Sequence, residues 1–577
     1  MLAYATPPTY EVPTSGNLTD DVRAAVAERP DAVAFSVKVD GSWEDVTIGQ
    51  FRDDVVAVAK GLVAAGVQPG DRVVLLSRTR YEWTLVDYAI WWAGAATVPV
   101  YETSSAEQIS WILSDSEAVA GVVEDAGHLG RVNEVRGSVP SLRSVWTIED
   151  DGIGALRELG ADVSDDELED RRSSVTPDSL ATLIYTSGTT GRPKGCCLTH
   201  SNFMFELGVA TQVLDDLFEV EDASTLLFLP LAHVFARIVQ IGCVRSGTRL
   251  GHTSDVKDLV GSLAEFRPTF ILAVPRVFEK VFNSASQKAH AGGRGKIFDA
   301  AAEAAIAYSR AMDAGRRTGP FMRAKHAVFD RLVYSRLRSA LGGRAQYALA
   351  GGAPLGERLA HFFRGIGVPV LEGYGLTETT AAITVNLPGE SKIGTVGRPL
   401  PGTEVRIGED GELLFHGGQV FTGYWNNERA TKETLDSDGW LHTGDVGEID
   451  DEGFVRITGR KKEIIVTAGG KNVAPAILED RIRSHALVSQ CMVVGDGKPF
   501  IAALVTIDED AFRTWRDDKG KSGRVADLVN DPDLVAEVQA AVDDANAQVS
   551  KAESIRKFSI LPADWSEQAG HVTPTMK

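Results

Sequence analysis

The sequence predicts an α/β protein in which a large N-terminal domain of helix-covered, mostly parallel sheets precedes a small α+β C-terminal domain. First, a chain of 577 residues is too long for a single hydrophobic core. Second, short apolar runs alternate with segments whose apolar residues recur at helical spacing, which is typical of parallel sheets covered by helices. Third, short strands separated by Gly/Asp turns begin near Ile393 and predict a small β-barrel-like subdomain.

The first third of the chain carries the alternation most clearly. Apolar residues from Phe51 to Val63 recur at helical spacing, and the Gly and Pro residues at 66–70 end that helix. The acidic stretch 150–178 is expected to be a surface excursion. The other predicted elements of this third are strands and helices in turn, and they are the strand 72–77, the helix 85–92, the strands 96–100 and 119–124, the helix 126–136 and the strand 144–148.

The alternation continues beyond a buried strand at 179–185, which leads through a loop into a helix from Asn202 onward. It stops between 277 and 343, where a helical insert is expected to form a helix pair that turns near 315–320. The predicted strands of this part are short, and they are 226–230, 249–252, 269–274, 347–350, 368–372, 404–407, 412–416, 446–449 and 454–457.

The domain boundary is predicted after Arg460. Residues 1–460 would form the large domain, with the helical insert at about 277–343 and the β-barrel-like subdomain at about 393–459. Residues 461–577 would form the small domain.

Composition excludes several functional classes. The chain has 59 Lys and Arg against 80 Asp and Glu, a net charge of −21, which disfavours non-specific binding to nucleic acid. Its four cysteines form no C-x-x-C pair, so neither a zinc site nor a disulfide framework is indicated. Neither a signal peptide nor an apolar run long enough to span a membrane is found, and we expect a cytoplasmic protein.

The loop from Tyr185 to Gly195 has the composition of a phosphate-binding loop. It combines three glycines, which let the backbone approach a ligand, with hydroxyls and two cations that suit anionic oxygens. The spacing differs from that of the common P-loop, because Lys194 is followed by glycine. The alternative is a solvent-exposed Gly/Ser/Thr loop. The candidate nucleotide-binding residues are Thr186, Ser187, Gly188, Thr189, Thr190, Gly191 and Lys194.

A second candidate segment, 373–380, follows a predicted strand at the kind of edge where ligands bind in α/β sheets. Tyr374 offers an aromatic face for a base, Thr377 a hydroxyl for phosphate, and Glu378 hard oxygens for Mg²⁺. On these residues alone, the more ordinary interpretation is a helix N-terminus with capping residues. Asp445 behind a glycine could likewise be an ordinary turn residue, and the cations at 460–462 a solvated turn.

Taken in order, these motifs resemble the adenylate-forming superfamily of acyl-CoA synthetases, luciferases and peptide-synthetase adenylation domains. The helical insert, the run 275–280 (Pro-Arg-Val-Phe-Glu-Lys) and the run 229–233 (Leu-Pro-Leu-Ala-His) are most similar to long-chain fatty acyl-CoA synthetases. The resemblance implies ATP and CoA as substrates, Mg²⁺ on Glu378, and a small C-terminal domain that is mobile.

The resemblance also assigns roles to individual residues. It implies that Tyr374 lies under the adenine, that Asp445 and Arg460 reach the ribose, and that Lys462 is the hinge between the domains. His233 would lie beside the substrate carboxylate, Lys577 would be the catalytic lysine, and Lys194 and Thr377 would contact phosphate. Further residues implied to line the nucleotide or CoA site are Gly351, Gly352, Ala353, Glu372, Gly373, Gly375, Gly469 and Gly470. Arg237 stands where some fatty-acyl members carry a tryptophan that gates the acyl tunnel.

The predicted function is therefore an ATP-dependent long-chain fatty acid–CoA ligase, which forms an acyl-AMP intermediate, releases pyrophosphate and transfers the acyl group to CoA. Three alternatives stay open: a fatty acyl-AMP ligase, a medium-chain or aryl-CoA ligase, and an inactive acyl-nucleotide sensor. The segment 288–344 carries twelve Lys and Arg against four acids. Two interpretations stay open, a solvated helical pair and a segment that contacts anionic membrane surfaces.

Overall fold

The computed structural model describes residues 1–186, 192–255, 258–313, 318–468, 471–551, 553–566, 569 and 571–572. Within these ranges, no helix combines the length and the apolar character that crossing a bilayer requires.

A seven-stranded sheet forms the centre of the first part of the chain. Five neighbouring strands, from Leu180–Thr186 to one edge of the sheet, are parallel. The two strands at the opposite edge each run antiparallel to the strand beside them. The strands are, in spatial order, Gly423–Tyr424, Lys194–Thr199, Leu180–Thr186, Ala96–Val100, Arg72–Leu76, Ala120–Val123 and Ser144–Thr147.

The strand Lys194–Thr199 corrects the predicted strand–loop–helix arrangement. It pairs antiparallel with Leu180–Thr186, so the glycine-rich loop connects the two arms of a β-hairpin. The helix that follows begins at His200. The prediction missed this strand because it has only six residues, and so short a segment shows too little alternation of side chains to indicate a strand.

Helices cover this sheet, and two of them occupy the stretch 150–178 that was predicted to be a surface excursion. The helices Gly152–Leu159 and Asp165–Ser173 bury Leu156 and Leu168, so this prediction was wrong despite the acidic composition. A few apolar residues at helical spacing are sufficient to anchor a largely charged helix. The other helices of this part are Asp20–Glu28, Ile48–Ala64, Tyr81–Trp92, Ala106–Ser116 and Ala126–Arg136.

Two further sheets lie side by side in the middle of the chain. The Thr225 hydroxyl donates to the carbonyl of Phe270 at 3.0 Å, which joins the first strands of the two sheets. One sheet contains, in spatial order, Ser224–Leu227, Arg249–His252, Val33–Val39 and Ser42–Thr47. The other contains Phe270–Ala273, Tyr347–Ala350, Val370–Tyr374, Thr384–Val385 and Arg398–Pro399. The helices associated with them are His200–Val213, Asp215–Phe218, Val234–Ser246, Leu259–Phe266 and Glu357–Gly365.

The helical insert contains more than the predicted pair of helices. Its helices are Pro275–Ala291, Gly295–Asp313, Pro320–Phe329 and Ser335–Ala340, with a π-helical turn at Asp330–Tyr334. The turn at 292–294 was not predicted, although two glycines mark it. Phe278, Phe282 and Phe298 pack with Phe362 and Phe363 in the core beneath the insert.

A five-stranded antiparallel sheet follows, and its first strand comes from the beginning of the chain. Ala3–Ala5 pairs with Glu404–Ile407, with Tyr4 opposite Val405. The remaining strands are Glu412–His416, Leu441–Ile449 and Val455–Arg460, and the helix Glu428–Thr434 lies between the first and the second of these.

The residues after 460 form a smaller α+β unit with its own core. It contacts the insert, because the Arg276 guanidinium donates to the carbonyl and hydroxyl oxygens of Ser489 at 2.7 and 3.1 Å. Its strands are Ile465–Val466, Asn472–Val473, Val488–Val494, Ile501–Ile507 and Ile555–Ile560. Its helices are Pro475–Arg483, Glu509–Asp518, Val525–Leu528 and Pro532–Asn546.

Candidate active site

A cavity of about 3130 Å³ lies where the sheets and the small unit meet. One end is lined by polar residues from several loops, and another part is lined by apolar residues of two helices. His571 and Val572, close to the end of the described chain, also line it. Most of the predicted site residues surround this one cavity.

At the polar end, the hairpin brings Lys194 next to two residues that are distant in the sequence. Thr186 and Lys194 face each other across the hairpin. The Lys194 ammonium lies 4.5 Å from the centre of the Tyr424 ring, and the Tyr424 hydroxyl donates to Glu378 Oε1 at 2.6 Å. A lysine and a carboxylate therefore share one aromatic neighbour. The loop residues Ser187, Gly188, Thr189, Thr190 and Gly191 lie outside the described residues.

A second cluster brings together three predicted nucleotide-binding residues. The Tyr374 hydroxyl donates to Asp445 Oδ2 at 2.6 Å, and Arg460 Nε lies 2.8 Å from Asp445 Oδ1. Asp445 and Arg460 are direct partners in neighbouring antiparallel strands, so strand pairing sets their contact. Burial and the Asp445 charge raise the pKa of Tyr374 well above its ordinary value, and the hydroxyl stays a donor. This cluster can present a fixed carboxylate to vicinal hydroxyls.

The segment around Tyr374 is shaped by its backbone. The predicted strand 368–372 runs instead over Val370–Tyr374, so Gly373 and Tyr374 belong to the strand. A Cβ on Gly375 would lie 1.5 Å from the carbonyl oxygen of Ala381, which explains why this position needs glycine. Thr377 begins a short 3₁₀ turn and lines the cavity with Glu378.

Glu372 lies on the same wall as Gly351, Gly352 and Ala353. Burial raises the pKa of Glu372 to about 7, against an ordinary value of 4.5, although the Leu355 backbone N–H donates to its carboxylate at 2.9 Å. Gly352 has a φ of +82°, a conformation that favours glycine. The predicted residues of this wall are therefore neighbours, and Glu372 can change its charge near neutral pH.

The apolar part of the cavity lies between the helices His200–Val213 and Val234–Ser246. His233 stands at the start of the second helix, where its Nδ1 accepts from the Phe235 backbone N–H at 3.2 Å. The apolar residues that line this part include Leu207, Ala210, Leu214, Phe218, Phe228, Val234, Phe235, Ile238 and Val239. A long apolar ligand could extend from His233 along these side chains.

Arg237 lies in the core and is not among the residues that line the cavity. Its guanidinium pairs with Asp87 at 2.5 and 3.0 Å and donates to Thr182 at 2.6 Å. Trp83 and Trp91 lie against it. Arg237 therefore stabilises the packing between two helices and a strand, and it does not gate the cavity.

The described part of the chain contains no group of three His, Cys, Asp or Glu side chains that converge on a metal position. Glu378 nevertheless fits a Mg²⁺ ion that takes its other ligands from phosphate and water, because such ions are often held by one or two carboxylates. The Tyr424 hydroxyl fixes the orientation of this carboxylate. Lys462 is exposed at the cavity edge. Lys577, Gly469 and Gly470 lie outside the described residues.

Sequence reasoning missed Tyr424 and Glu206. Tyr424 belongs to a two-residue strand, and the glycine before it indicates only a turn. Glu206 lies within a helix whose other residues are mostly apolar, and that contrast was the available signal.

Family comparison covers most of the chain. Residues 22–425 match the model of the family described as AMP-binding enzyme, and residues 462–575 match the AMP-binding enzyme C-terminal domain. The sequence is 53% identical over 567 residues to the long-chain-fatty-acid–CoA ligase FadD15 of Mycobacterium bovis, which covers 97% of this chain and 94% of that protein. It is 32% identical to the long-chain-fatty-acid–CoA ligase ACSBG2 of Xenopus laevis, covering 95% of this chain and 79% of that protein.

Solved structures share the fold. The anthranilate CoA ligase AuaEII in complex with anthranoyl-AMP superposes with a TM-score of 0.74 at 18% identity, covering 98% of this chain and 96% of that one. ATP-bound MatB from Rhodopseudomonas palustris superposes with a TM-score of 0.70 at 23% identity, covering 95% of each chain.

Proposed function

Because the chain belongs to the AMP-binding enzyme family, we propose that it is an ATP-dependent long-chain fatty acid–CoA ligase. The observation that carries this proposal is the cavity itself, in which a cluster suited to a nucleotide adjoins a long apolar wall. The two relatives named above are long-chain-fatty-acid–CoA ligases and support the same substrate class.

The first step is the attack of the fatty acid carboxylate on the α-phosphorus of ATP, which forms acyl-AMP and expels pyrophosphate. The Tyr374 ring would support the adenine, and Asp445 would accept hydrogen bonds from both ribose hydroxyls while Arg460 holds its carboxylate in place. Lys194 and Thr377 would donate to phosphate oxygens. Catalysis of such a step rests mainly on positioning and on stabilisation of developing negative charge.

Glu378 would hold Mg²⁺ at the phosphate end of the site. When bound there, the ion would neutralise charge on the phosphate oxygens. The Tyr424 hydroxyl positions Glu378 and its ring positions Lys194, so one residue orients both charged groups.

In the second step, the CoA thiolate attacks the acyl carbonyl carbon and AMP leaves. We propose that the small domain turns about Lys462 between the steps, which removes Lys577 from the site and brings Gly469 and Gly470 toward it. His233, at the mouth of the apolar wall, would contact the carboxylate in the first step. One cavity would then serve two reactions in sequence.

Separate assays of the two steps test this function. Acid-dependent exchange of pyrophosphate into ATP measures adenylation, and release of AMP in the presence of CoA measures thioester formation. With saturated acids of graded length, we expect activity to be highest for long chains. Lys577→Ala should reduce exchange by roughly 10²–10³ while thioester formation from supplied acyl-AMP persists. Equal loss in both steps would contradict the two-state mechanism.

The same assays separate the alternatives. A fatty acyl-AMP ligase would show exchange and accumulate acyl-AMP, but CoA would not increase turnover. A medium-chain or aryl-CoA ligase would complete both steps only with shorter or aromatic acids. An inactive sensor would bind acyl-AMP and catalyse neither step.

We also propose that the protein is cytoplasmic and binds anionic membrane surfaces through the insert. The helix Pro320–Phe329 buries none of its residues, and Phe321 is 82% exposed. Val328 and Leu332 are exposed nearby in a segment rich in Lys and Arg. Each cation near an anionic surface contributes about 1 kcal/mol.

Reversal of Arg316, Arg317 and Arg323 to Glu should abolish salt-sensitive cosedimentation with anionic vesicles and leave turnover of a soluble medium-chain acid intact. Reversal of Arg513 and Arg524, two exposed arginines of the small domain, is the matched control. Cosedimentation that changes neither with salt concentration nor with the reversal of Arg316, Arg317 and Arg323 would contradict the proposal.

A further inference from the structure

One carboxyl group interrupts the apolar wall of the cavity. Glu206 lies on the helix His200–Val213, is 2% exposed and lines the cavity beside Leu207 and Ala210. Among the residues that the structure describes, its Oε2 atom has no hydrogen-bond partner. Burial raises the pKa of Glu206 well above its ordinary value, and a backbone hydrogen bond from Ala382 opposes this only in part. Burial therefore favours the protonated carboxylic acid, which carries a hydrogen-bond donor besides its acceptor positions.

A purely structural role explains this residue poorly. Another buried polar side chain on the same helix, Asn202, donates to the carbonyls of Gly418 and Val420 at 2.9 and 3.0 Å. Among the residues that the structure describes, Glu206 makes no comparable pair of contacts and no ion pair with a cation, and the Ala382 backbone is the one group that opposes the effect of burial on its pKa. A leucine would fill the same space without burying a polar atom. Burying an unpaired carboxyl group costs free energy, and a ligand that forms a hydrogen bond with this group would offset that cost.

The position of Glu206 indicates which part of a ligand it would meet. Ala382 follows the 3₁₀ turn of Thr377 and Glu378 by three residues, and the backbone N–H of Ile383, the next residue, donates to the Tyr374 carbonyl at 2.8 Å. The carboxyl group thus lies near the nucleotide end of the wall. A fatty acid whose carboxylate reaches that end would pass its first carbons close to Glu206.

We propose that Glu206 is a specificity-determining residue whose carboxyl group hydrogen-bonds a hydroxyl on carbon 2 or 3 of the fatty acid. This deepens the proposed function and rests on it. A hydroxyl both donates and accepts, which matches the donor and the free acceptor of the carboxyl group. A site built to hydrogen-bond a hydroxyl discriminates against the analogue that lacks it, because the buried group is then left unpaired. The enzyme would therefore prefer hydroxylated long-chain acids to their unsubstituted counterparts.

The test compares hexadecanoic acid with its 2-hydroxy and 3-hydroxy derivatives, and with 12-hydroxyoctadecanoic acid as a distal control. In wild type we expect kcat/KM to be roughly 10-fold higher for a 2- or 3-hydroxy acid than for hexadecanoic acid. Glu206→Leu should remove this preference and raise kcat/KM for hexadecanoic acid. Glu206→Gln, whose amide also donates and accepts, should retain part of it. A wild-type ratio near one, or a ratio that Glu206→Leu leaves unchanged, would overturn the proposal.

Calorimetric titration of the same acids into each variant separates this proposal from the ligase proposal. If the protein forms no thioester but binds the hydroxy acid more tightly than hexadecanoic acid, and Glu206→Leu abolishes that difference, the ligase proposal fails and the role of Glu206 stands. If wild type and Glu206→Leu bind the hydroxy acid with equal affinity, the proposed role of Glu206 is overturned whatever the catalytic result.

Discussion

Replacing Tyr424 with Phe removes the hydroxyl that donates to Glu378 and keeps the ring that faces Lys194. The two interactions of one side chain are thereby separated. Loss of the hydroxyl frees the carboxylate to rotate and leaves its Oε1 atom without the 2.6 Å contact. If Glu378 holds Mg²⁺, the ion will meet a ligand that is no longer oriented.

The size of the effect follows from the kind of bond. A hydrogen bond to a charged group is worth about 1.5–3 kcal/mol, and 1.4 kcal/mol corresponds to a factor of ten. Glu378 is partly exposed, and solvent can replace some of the lost bond, so the lower figure applies. Substitutions of residues that orient a metal ligand typically cost 10- to 100-fold in metal affinity or activity. We therefore expect the Mg²⁺ concentration for half-maximal adenylation to rise about 10-fold.

The assay is pyrophosphate exchange at fixed ATP and fatty acid over a series of Mg²⁺ concentrations. Tyr334→Phe is the matched control, because the Tyr334 hydroxyl donates to the carbonyl of Ala301 at 2.7 Å in the core of the insert. That variant should lose stability without shifting the Mg²⁺ midpoint. A Tyr424→Phe enzyme with the wild-type midpoint would refute the assignment of Tyr424 as the residue that orients Glu378.

Three other substitutions test separate parts of the structure. Asp445→Asn should raise the KM for ATP roughly 10- to 100-fold, because the amide loses the charge that faces Arg460, and should leave the KM for the fatty acid unchanged. Steady-state kinetics measure both constants, and an unchanged KM for ATP would contradict this prediction. Because burial raises the pKa of Glu372 to about 7 in the folded state, its contribution to stability is fully present below its ordinary pKa of 4.5 and is lost as pH rises through 7. Thermal unfolding of Glu372→Gln should therefore lack that part of the decline with pH, and an identical pH profile would disprove the shift. Asp87→Ala should cost about 3–5 kcal/mol in urea unfolding, because it leaves the buried Arg237 charge unpaired, and a cost near zero would mean that Arg237 finds another partner.

Patterns that repeat along the chain predicted the local structure well. The helix Ala126–Arg136 and the strands Tyr347–Ala350 and Glu404–Ile407 have the predicted bounds, because residues that favour caps or turns flank each of them. The domain boundary after Arg460 and the hinge at Lys462 remain predictions.

The candidate site was predictable where short segments resemble a known family. Tyr374, Asp445 and Arg460 were identified through that resemblance, and the structure places them in contact, while their roles toward a nucleotide remain predictions. Contacts between distant residues were not predictable. Arg237 and Asp87 are 150 residues apart, and neither local sequence indicates that the other will neutralise it. Tyr424 and Glu206 were missed for the same reason, because periodicity indicates which face of a helix or strand is buried and does not indicate which residues lie opposite that face.

The strand Ala3–Ala5 imposes an order on synthesis of this protein. Its sheet partners are made late, since the Thr6 hydroxyl donates to the carbonyl of Pro399, 393 residues further along. Ribosomes add about 5–20 residues per second, so the strand waits roughly 20–80 s for its partner to be translated. During that time its backbone groups are available to other strand edges. Completion of the five-stranded sheet is therefore a late event on the ribosome, and conditions that slow translation lengthen the interval in which the nascent chain needs protection.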